Sequence, residues 1–328
     1  MTTDKTENTL PVGTPMQPVY LVQANNRKTD DEIDLRELWN ALWQGKVTII
    51  AITSVFAIAS VIIALMLPNI YRSEALLAPA EESQGGGLSA LAGQFGGLAS
   101  IAGINLSDGA TDPTVVAIET LKSRRFVKTF IDKHKLLVPL MASDGWNESD
   151  NTLQIDDDIY NSDSQEWVRD VSPPLQAKPS DTEAYKVFME DILSVSQDKK
   201  SSLVRIGVEF YSPTLAKQWV DWLVTDLNDY MRAKDLNSAN RTIDYLTKQL
   251  NSTSIADMQT IFYQLIEEQT KTIMLANVRQ DYVLEIIDPA VVAEEASEPK
   301  RALICGALIV LGGFLGVIVV FIRPPKEL

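Results

Sequence analysis

Residues 47–67 read VTIIAITSVFAIASVIIALML, and residues 302–322 read ALICGALIVLGGFLGVIVVFI. Each stretch is 21 residues without a charge. As a helix each would run roughly 31 Å, close to the thickness of a bilayer's hydrocarbon core. Both therefore read as transmembrane helices. A cleaved signal peptide does not fit the first, because 46 residues precede it and its apolar run is too long. It reads as an uncleaved anchor.

The flanks give orientation. Lys28, Arg36 and Lys46 precede the first span, and only Arg72 follows it closely. Lys300 and Arg301 precede the second span, while Arg323 and Lys326 follow it. Cytoplasmic flanks are enriched in Lys and Arg, so the first span votes for a cytoplasmic N-terminus and the second is neutral. Two spans put both termini on the same side, the cytoplasm.

Between the spans lie residues 68–301, with 22 Lys+Arg and 36 Asp+Glu, or −14 of the chain's −15. This is an acidic domain on the far side of the membrane, the periplasm in a Gram-negative cell. Such acidity argues against nucleic acid, which needs clustered cations. The chain has one Cys, Cys305, and one His, His134. An intramolecular disulfide is excluded, and His/Cys zinc sites and His-based triads are poor readings. No P-loop pattern occurs, and no cofactor or metal is expected. The tail at 323–328 has six residues, so no kinase or other output module is expected there.

Residues 1–29 are polar and Pro-containing and read as a disordered cytoplasmic tail. Residues 30–46 read as an interfacial amphipathic helix. Leu35, Leu38, Trp39, Leu42 and Trp43 share one face, with Trp39, Trp43 and Lys46 suited to the membrane interface. Residues 71–79 read as a strand leaving the membrane. The Gly-rich run at 85–103 lacks the Lys of a phosphate loop and reads as a flexible apolar loop or as disorder.

Asp112-Pro113 starts a helix running to about Lys135. Its basic patch, Lys122, Arg124, Arg125 and Lys128, is a candidate contact for glycan or a neighbouring subunit; the alternative is a solvated face. Residues 144–170 hold nine acids and one base and read as an irregular surface excursion. A helix near 182–191 precedes strands at 192–196 and 203–211, the second alternating Val204, Ile206, Val208, Phe210.

Ser212-Pro213 begins a run to Leu250 free of Gly and Pro. It reads as one long helix whose Leu236, Ala239, Ile243, Leu246 and Leu250 form a coiled-coil-like seam. A turn at 251–254, capped by Ser254 with Asp257, leads to a second helix ending near Asn277. The long helices thus cover about 213–277 and form a hairpin. A strand at 282–287 returns the chain to the second span. Its pairing with the strand at 71–79 would set the two membrane helices side by side. In the last helix Gly306, Gly312, Gly313 and Gly316 make a small-residue packing stripe. The fold class is α/β: two transmembrane helices flanking a periplasmic α/β domain with a long helical hairpin.

This arrangement resembles the Wzz-type chain-length determinants, the polysaccharide co-polymerases of Gram-negative inner membranes. The resemblance rests on Ile33-Asp34-Leu35 with Leu38-Trp39 and Leu42-Trp43, and on Pro68 with Tyr71-x-Ser73-x-Ala75. It also rests on Asp281-Tyr282, Ile287-Asp288-Pro289-Ala290, Pro299-Lys300-Arg301 and the Gly-rich last helix. It covers both membrane ends and the long helices. It implies a non-catalytic regulator of O-antigen chain length, or of a related lipid-linked glycan. It implies a homo-oligomeric ring, an octamer by resemblance, working with the O-antigen polymerase. The residues carried over are Leu35, Tyr71, Pro289, Pro299, Lys300 and Arg301. Competing readings are a capsule-type export adaptor, a two-span periplasmic sensor, and a membrane-anchored enzyme using two carboxylates.

Overall fold

The computed structural model describes residues 39, 42–80 and 112–322. The expectations for 1–29, for the first part of 30–46, for the Gly-rich run at 85–103 and for 323–328 lie outside the described residues. In chain order the elements are α1 (Lys46–Met66), β1 (Tyr71–Pro79), α2 (Pro113–Leu121), α3 (Arg124–His134), α4 (Leu137–Ala142), β2 (Ser143–Asn147) and β3 (Thr152–Ile155). Then follow β4 (Tyr160–Asn161), β5 (Glu166–Trp167), α5 (Asp181–Val187), a π-turn (Phe188–Ile192), β6 (Leu193–Gln197) and β7 (Val204–Phe210). Last come α6 (Pro213–Ser252), α7 (Ala256–Val278), β8 (Leu284–Asp288) and α8 (Arg301–Ile322). Contacts divide the chain into two compact units, one of residues 1–55 with 310–328, the other of residues 56–309.

Helices α1 and α8 are long and apolar enough to cross a membrane. They are not the core of a soluble fold: Ile50 is 62% exposed, Ile58 64%, Val310 72% and Phe314 65%. Such outward apolar surface is what a lipid-facing helix presents. The two helices flank a mixed helical and sheet domain.

That domain is organised on a four-stranded sheet in the order β6-β7-β1-β8. Every pairing is antiparallel. The first and last strands of the domain are therefore neighbours, as the sequence led us to expect. The β1–β7 register places Ser73 opposite Val208 and Leu77 opposite Val204. Alternation along β7 sends Val204, Ile206, Val208 and Phe210 into the core, all essentially inaccessible. At Gly207 a Cβ would stand 2.6 Å from the hydroxyl of its cross-strand partner Ser194, so a side chain there would displace that hydroxyl.

The first half of α6 packs across β1 and β7. Ser212 caps it by accepting from the Leu215 N–H, and Pro213 occupies the first turn, where no amide is needed. Trp219, Val220, Leu223, Val224 and Leu227 bury against the sheet. Forty residues make α6 roughly 60 Å long. Beyond Met231 its partner is α7. The expected seam is the inward face there: Ala239 and Leu246 are buried, and Leu236, Ile243 and Leu250 are half-buried.

Four local expectations change. The helix expected from 112 to 135 is two, because the Ser123 side chain accepts from the Phe126 N–H and starts α3 afresh. The acidic excursion at 144–170 is built of two small hairpins, β2–β3 and β4–β5, the first reinforced by Trp146 donating to Asn151 at 2.9 Å. Ser254 does not cap α7. Ile255 holds that position without a side-chain bond, and Gln259 Nε2 reaches back to the Thr253 carbonyl at 2.9 Å instead. The last strand begins at Leu284 rather than 282, just after Val283, whose N–H bonds the Asn228 side chain.

Candidate functional site

In the unit of residues 56–309, the two ends of the domain are fastened to each other. Ile70 and Glu298 form an isolated antiparallel bridge, with the Ile70 N–H donating to the Glu298 carbonyl at 3.0 Å. The Ile70 carbonyl accepts from the Ser297 N–H at 2.8 Å and from the Ser297 hydroxyl at 3.0 Å. Arg301 Nη2 donates to Asn69 Oδ1 at 2.9 Å. Ser73, fully buried on β1, donates its hydroxyl to the Val291 carbonyl at 2.7 Å. These bonds join residues more than 200 apart in sequence, beside the paired strands β1 and β8.

The motif residues cluster here. Tyr71 opens β1 opposite Phe210 and meets Trp146 edge-on, centroids 5.6 Å apart. Pro289 is exposed after β8, with Ala290 buried behind it. The Pro299 carbonyl accepts from the Arg301 N–H at 2.8 Å, and the Lys300 carbonyl accepts from Leu303 and Ile304 at 2.9 and 3.1 Å. Pro299 and Lys300 thus lead into the first turn of α8, which begins at Arg301. Leu35 lies outside the described residues.

A second fastening joins α6 to the return from α7. Asn228, 4% exposed, accepts from the N–H groups of Val283 and Leu284 at 2.9 and 3.1 Å. Its Nδ2 donates to the Leu284 carbonyl at 2.9 Å. One turn on, Arg232 Nη2 donates to the carbonyls of Arg279 and Gln280 at 2.9 and 2.6 Å, satisfying the end of α7. Tyr282 donates its hydroxyl to Asp235 at 2.8 Å. Burial, then the Asp235 carboxylate, pushes the Tyr282 phenol well above its ordinary range. On the other side of α6, Asp226 accepts from Lys133 at 2.6 Å and meets His134 Nε2 at 2.8 Å. The His134 ring stacks on Trp222 at 4.1 Å between centroids. Asn228, Arg232, Asp226 and Ser297 carry no motif, so pattern reading missed them, and Ser73 stood in the Tyr71-x-Ser73-x-Ala75 motif without any sign of its partner Val291. Their only sequence signal is a polar residue at an otherwise apolar helix or strand position.

The basic patch is partly used within the fold. Lys128 is paired with Asp181 at 2.6 Å and with Asp132 at 3.2 Å, and the two carboxylates, Asp181 first, raise its pKa. Arg124 lies over the Tyr185 ring at 4.8 Å. The Lys122 carbonyl accepts from the Tyr185 hydroxyl at 2.9 Å, with the Lys122 side chain half-buried. Arg125 is exposed.

In the unit of residues 1–55 and 310–328, α1 and α8 pack directly. A Cβ on Gly316 would stand 3.0 Å from the Ile49 Cα, a backbone contact that cannot yield. Gly312 is buried one turn earlier. Gly313 is looser, 3.9 Å from the Thr53 hydroxyl. A Cβ on Gly45 would run into the Val320 methyls, the mobile end of a side chain. Trp39 stacks on Trp43 at 6.2 Å, and Lys46 Nζ lies 5.1 Å above the Trp43 ring. A Cβ on Gly306, in the other unit, would meet nothing within 4 Å among the described residues.

Residues 31–134 match a family model described as Wzz, chain length determinant protein. Residues 252–324 match a second, GNVR, described as "G-rich domain on putative tyrosine kinase". Between them the two matches contain the helices α1 and α8 and the ends joined by the clasp. No curated protein matches. Among solved structures, a full-length bacterial polysaccharide co-polymerase aligns at 13% identity, covering 88% of this chain and 96% of its own, with a TM-score of 0.35. A fragment of WzzB, a polysaccharide co-polymerase from Salmonella Typhimurium, aligns at 9% identity over 70% of this chain and 100% of its own, with a TM-score of 0.26.

Proposed function

We propose, from a chain that carries the Wzz chain length determinant domain and the GNVR domain, that it sets the modal length of a lipid-linked polysaccharide. In this reading it is a non-catalytic regulator in a Gram-negative inner membrane, with both termini cytoplasmic and residues 68–301 periplasmic. It assembles as a homo-oligomeric ring, with eight copies the expected order. It works beside the O-antigen polymerase on lipid-linked glycan. O-antigen is the first substrate to test.

The observation that carries the reading is the placement of the two matched domains on a clasped scaffold. The matched segments hold both membrane helices, and their domain ends meet at Ile70–Glu298 and along β1–β8. The roughly 60 Å helix α6 lies on that same sheet and is bolted to β8 through Asn228. Rigid coupling of this kind suits a ruler or template better than a receptor, which needs an element that moves. The Gly316 contact and the interface pair Trp39 and Trp43 serve the anchor, and Lys122, Arg124, Arg125 and Lys128 remain candidate contacts to glycan or subunit.

The test is the surface-glycan ladder of a strain lacking this gene, beside its complemented sibling. A clustered long-chain mode that becomes a smoothly declining ladder on deletion, and returns on complementation, supports the reading. An unchanged ladder, with the glycan present and no paralogue expressed, removes O-antigen as the substrate. A loss of total surface polymer without a change in length would favour an export adaptor.

A further inference from the structure

Helix α6 carries a second basic feature, on the face turned away from α7. Lys234, Arg241 and Lys248 recur every seven residues and are all exposed. Seven residues advance a helix by about 700°, within about 20° of whole turns, so the three share one face. The seam that meets α7, including Ala239 and Leu246, lies on the opposite side. The same outer face holds Asn237, Ser238 and Tyr245, the last 62% exposed. Among the described residues, none of the three cations is in an ion pair, whereas Lys128, Lys133, Lys217, Arg232 and Arg205 all are. Arg241 donates Nε only to the Asn237 carbonyl of its own helix, at 3.1 Å.

The neighbouring acids do not cancel this row. Asp235 is engaged by the Tyr282 hydroxyl on another face. Asp244 lies on the row itself, seven residues after Asn237 and one turn before Lys248, so the stripe holds three cations against one acid and stays positive. The rest of the acidic domain acts through solvent, where charges beyond about 8 Å are screened at physiological salt. The sign of the local stripe therefore decides what approaches it.

We propose that Lys234, Arg241 and Lys248 form a rail for an anionic polysaccharide, one acidic group per cation, with Tyr245 and Asn237 contacting the intervening sugars. This rests on the polysaccharide reading above and narrows it to acidic glycan. The cations are about 10.5 Å apart along the axis, a distance two extended sugar rings cover, so an acidic group on every second sugar stays in register. Each exposed contact alone is weak, and the row gains strength by repetition along one polymer. A second copy of the chain is the poorer occupant. Protein interfaces deplete Lys from their centres, and α7 offers the better protein surface in Met258, Ile261, Tyr263, Met274 and Val278, all exposed.

The test measures binding of hyaluronan oligosaccharides, with one carboxylate per disaccharide, to the purified full-length chain in lipid nanodiscs. Dextran is the neutral control. Hyaluronan should bind, weaken steeply with salt, and lose about tenfold or more in affinity in the triple variant K234Q/R241Q/K248Q, while dextran should not bind. The charge-keeping triple K234R/R241K/K248R should bind as the parent does. Absence of hyaluronan binding, equal binding by dextran, or an unaffected glutamine triple would each overturn the rail. A glutamine triple that changes assembly size with hyaluronan binding intact would assign the face to a neighbouring copy instead. The deletion ladder is independent of all these outcomes, so the rail can fail while the length reading stands.

Discussion

Asn228 and Leu284 complete each other's hydrogen bonding: the amide side chain donates to the Leu284 carbonyl at 2.9 Å and accepts from the Leu284 N–H at 3.1 Å. The pair links α6 to the strand that ends the domain, and the same oxygen also accepts from Val283. An amide side chain supplies the donor and the acceptor that this position uses. A buried peptide left without partners costs about 1–3 kcal/mol per group.

Asn228→Ala should therefore be among the most damaging single changes outside the apolar core, at about 3 kcal/mol. Asn228→Asp should also destabilise, because an acceptor would replace the donor facing the Leu284 carbonyl. The midpoint of thermal unfolding of the full chain in detergent reads both. A shift in either variant no larger than that of an exposed control such as Asn240→Ala would show that the strap carries no stability.

The glycines of α8 should separate cleanly. Gly316→Ala places a methyl 3.0 Å from the Ile49 backbone and should cost about 1–3 kcal/mol of helix packing. Gly306→Ala meets nothing and should be silent. Thr53→Cys with Gly313→Cys, in a Cys305→Ser background, should form an intramolecular disulfide on mild oxidation. A silent Gly316→Ala, or no crosslink, would show that α1 and α8 do not pack this way in the membrane.

Much of this was legible in the sequence because its signals are periodic. Alternation from Val204 to Phe210 and the 3,4 spacing from Leu236 to Leu250 report burial directly, and spans of 21 uncharged residues report helices long and apolar enough to cross a membrane. The cap-plus-Pro pairs Asp112-Pro113 and Ser212-Pro213 both start helices as read. Single side chains chosen by tertiary context were not legible. Ser123 looks like any helix serine until its hydroxyl accepts from the Phe126 N–H, and Ser254 has a capping pattern its backbone does not use. The clasp depends on Ser73 and Ser297, whose partners lie 218 and 227 residues away. The stripe of glycines was visible, but which of them touches α1 depends on the rotation of two helices, which composition does not encode.

The acid limb of stability should contain a contribution from Glu183. Its carboxylate accepts from the Ser180 N–H at 2.9 Å, completing a capping box, and pairs with Arg169 at 2.8 Å. The Ser180 backbone bond is the main cause holding its pKa below the ordinary value, with Arg169 adding to it. A depressed folded pKa means stabilisation that is complete above the unfolded value of about 4.3 and disappears as pH falls through the folded value. Glu183→Gln preserves the shape but cannot titrate. It should be less stable than the parent at pH 7, and the difference should shrink as pH drops below about 4.3. A gap that stays constant from pH 7 to pH 3 would exclude the carboxylate as its source.

Asp226 receives two partners of unequal worth, and the ranking is testable. Lys133 keeps 55% of its side chain in solvent, so its removal forfeits a screened contact and should cost under about 1 kcal/mol. His134 is 13% exposed, stacked on Trp222 and tilted against Phe130 at 5.0 Å. His134→Ala removes both the ring packing and the bond to a nearly buried carboxylate, and should cost about 2–4 kcal/mol. Asp226→Asn keeps a polar group of the same shape against both partners and should fall between the two. Thermal unfolding of the three variants gives the order. A Lys133→Ala shift as large as that of His134→Ala would mean that charge pairing, rather than the buried stack, joins α3 to α6.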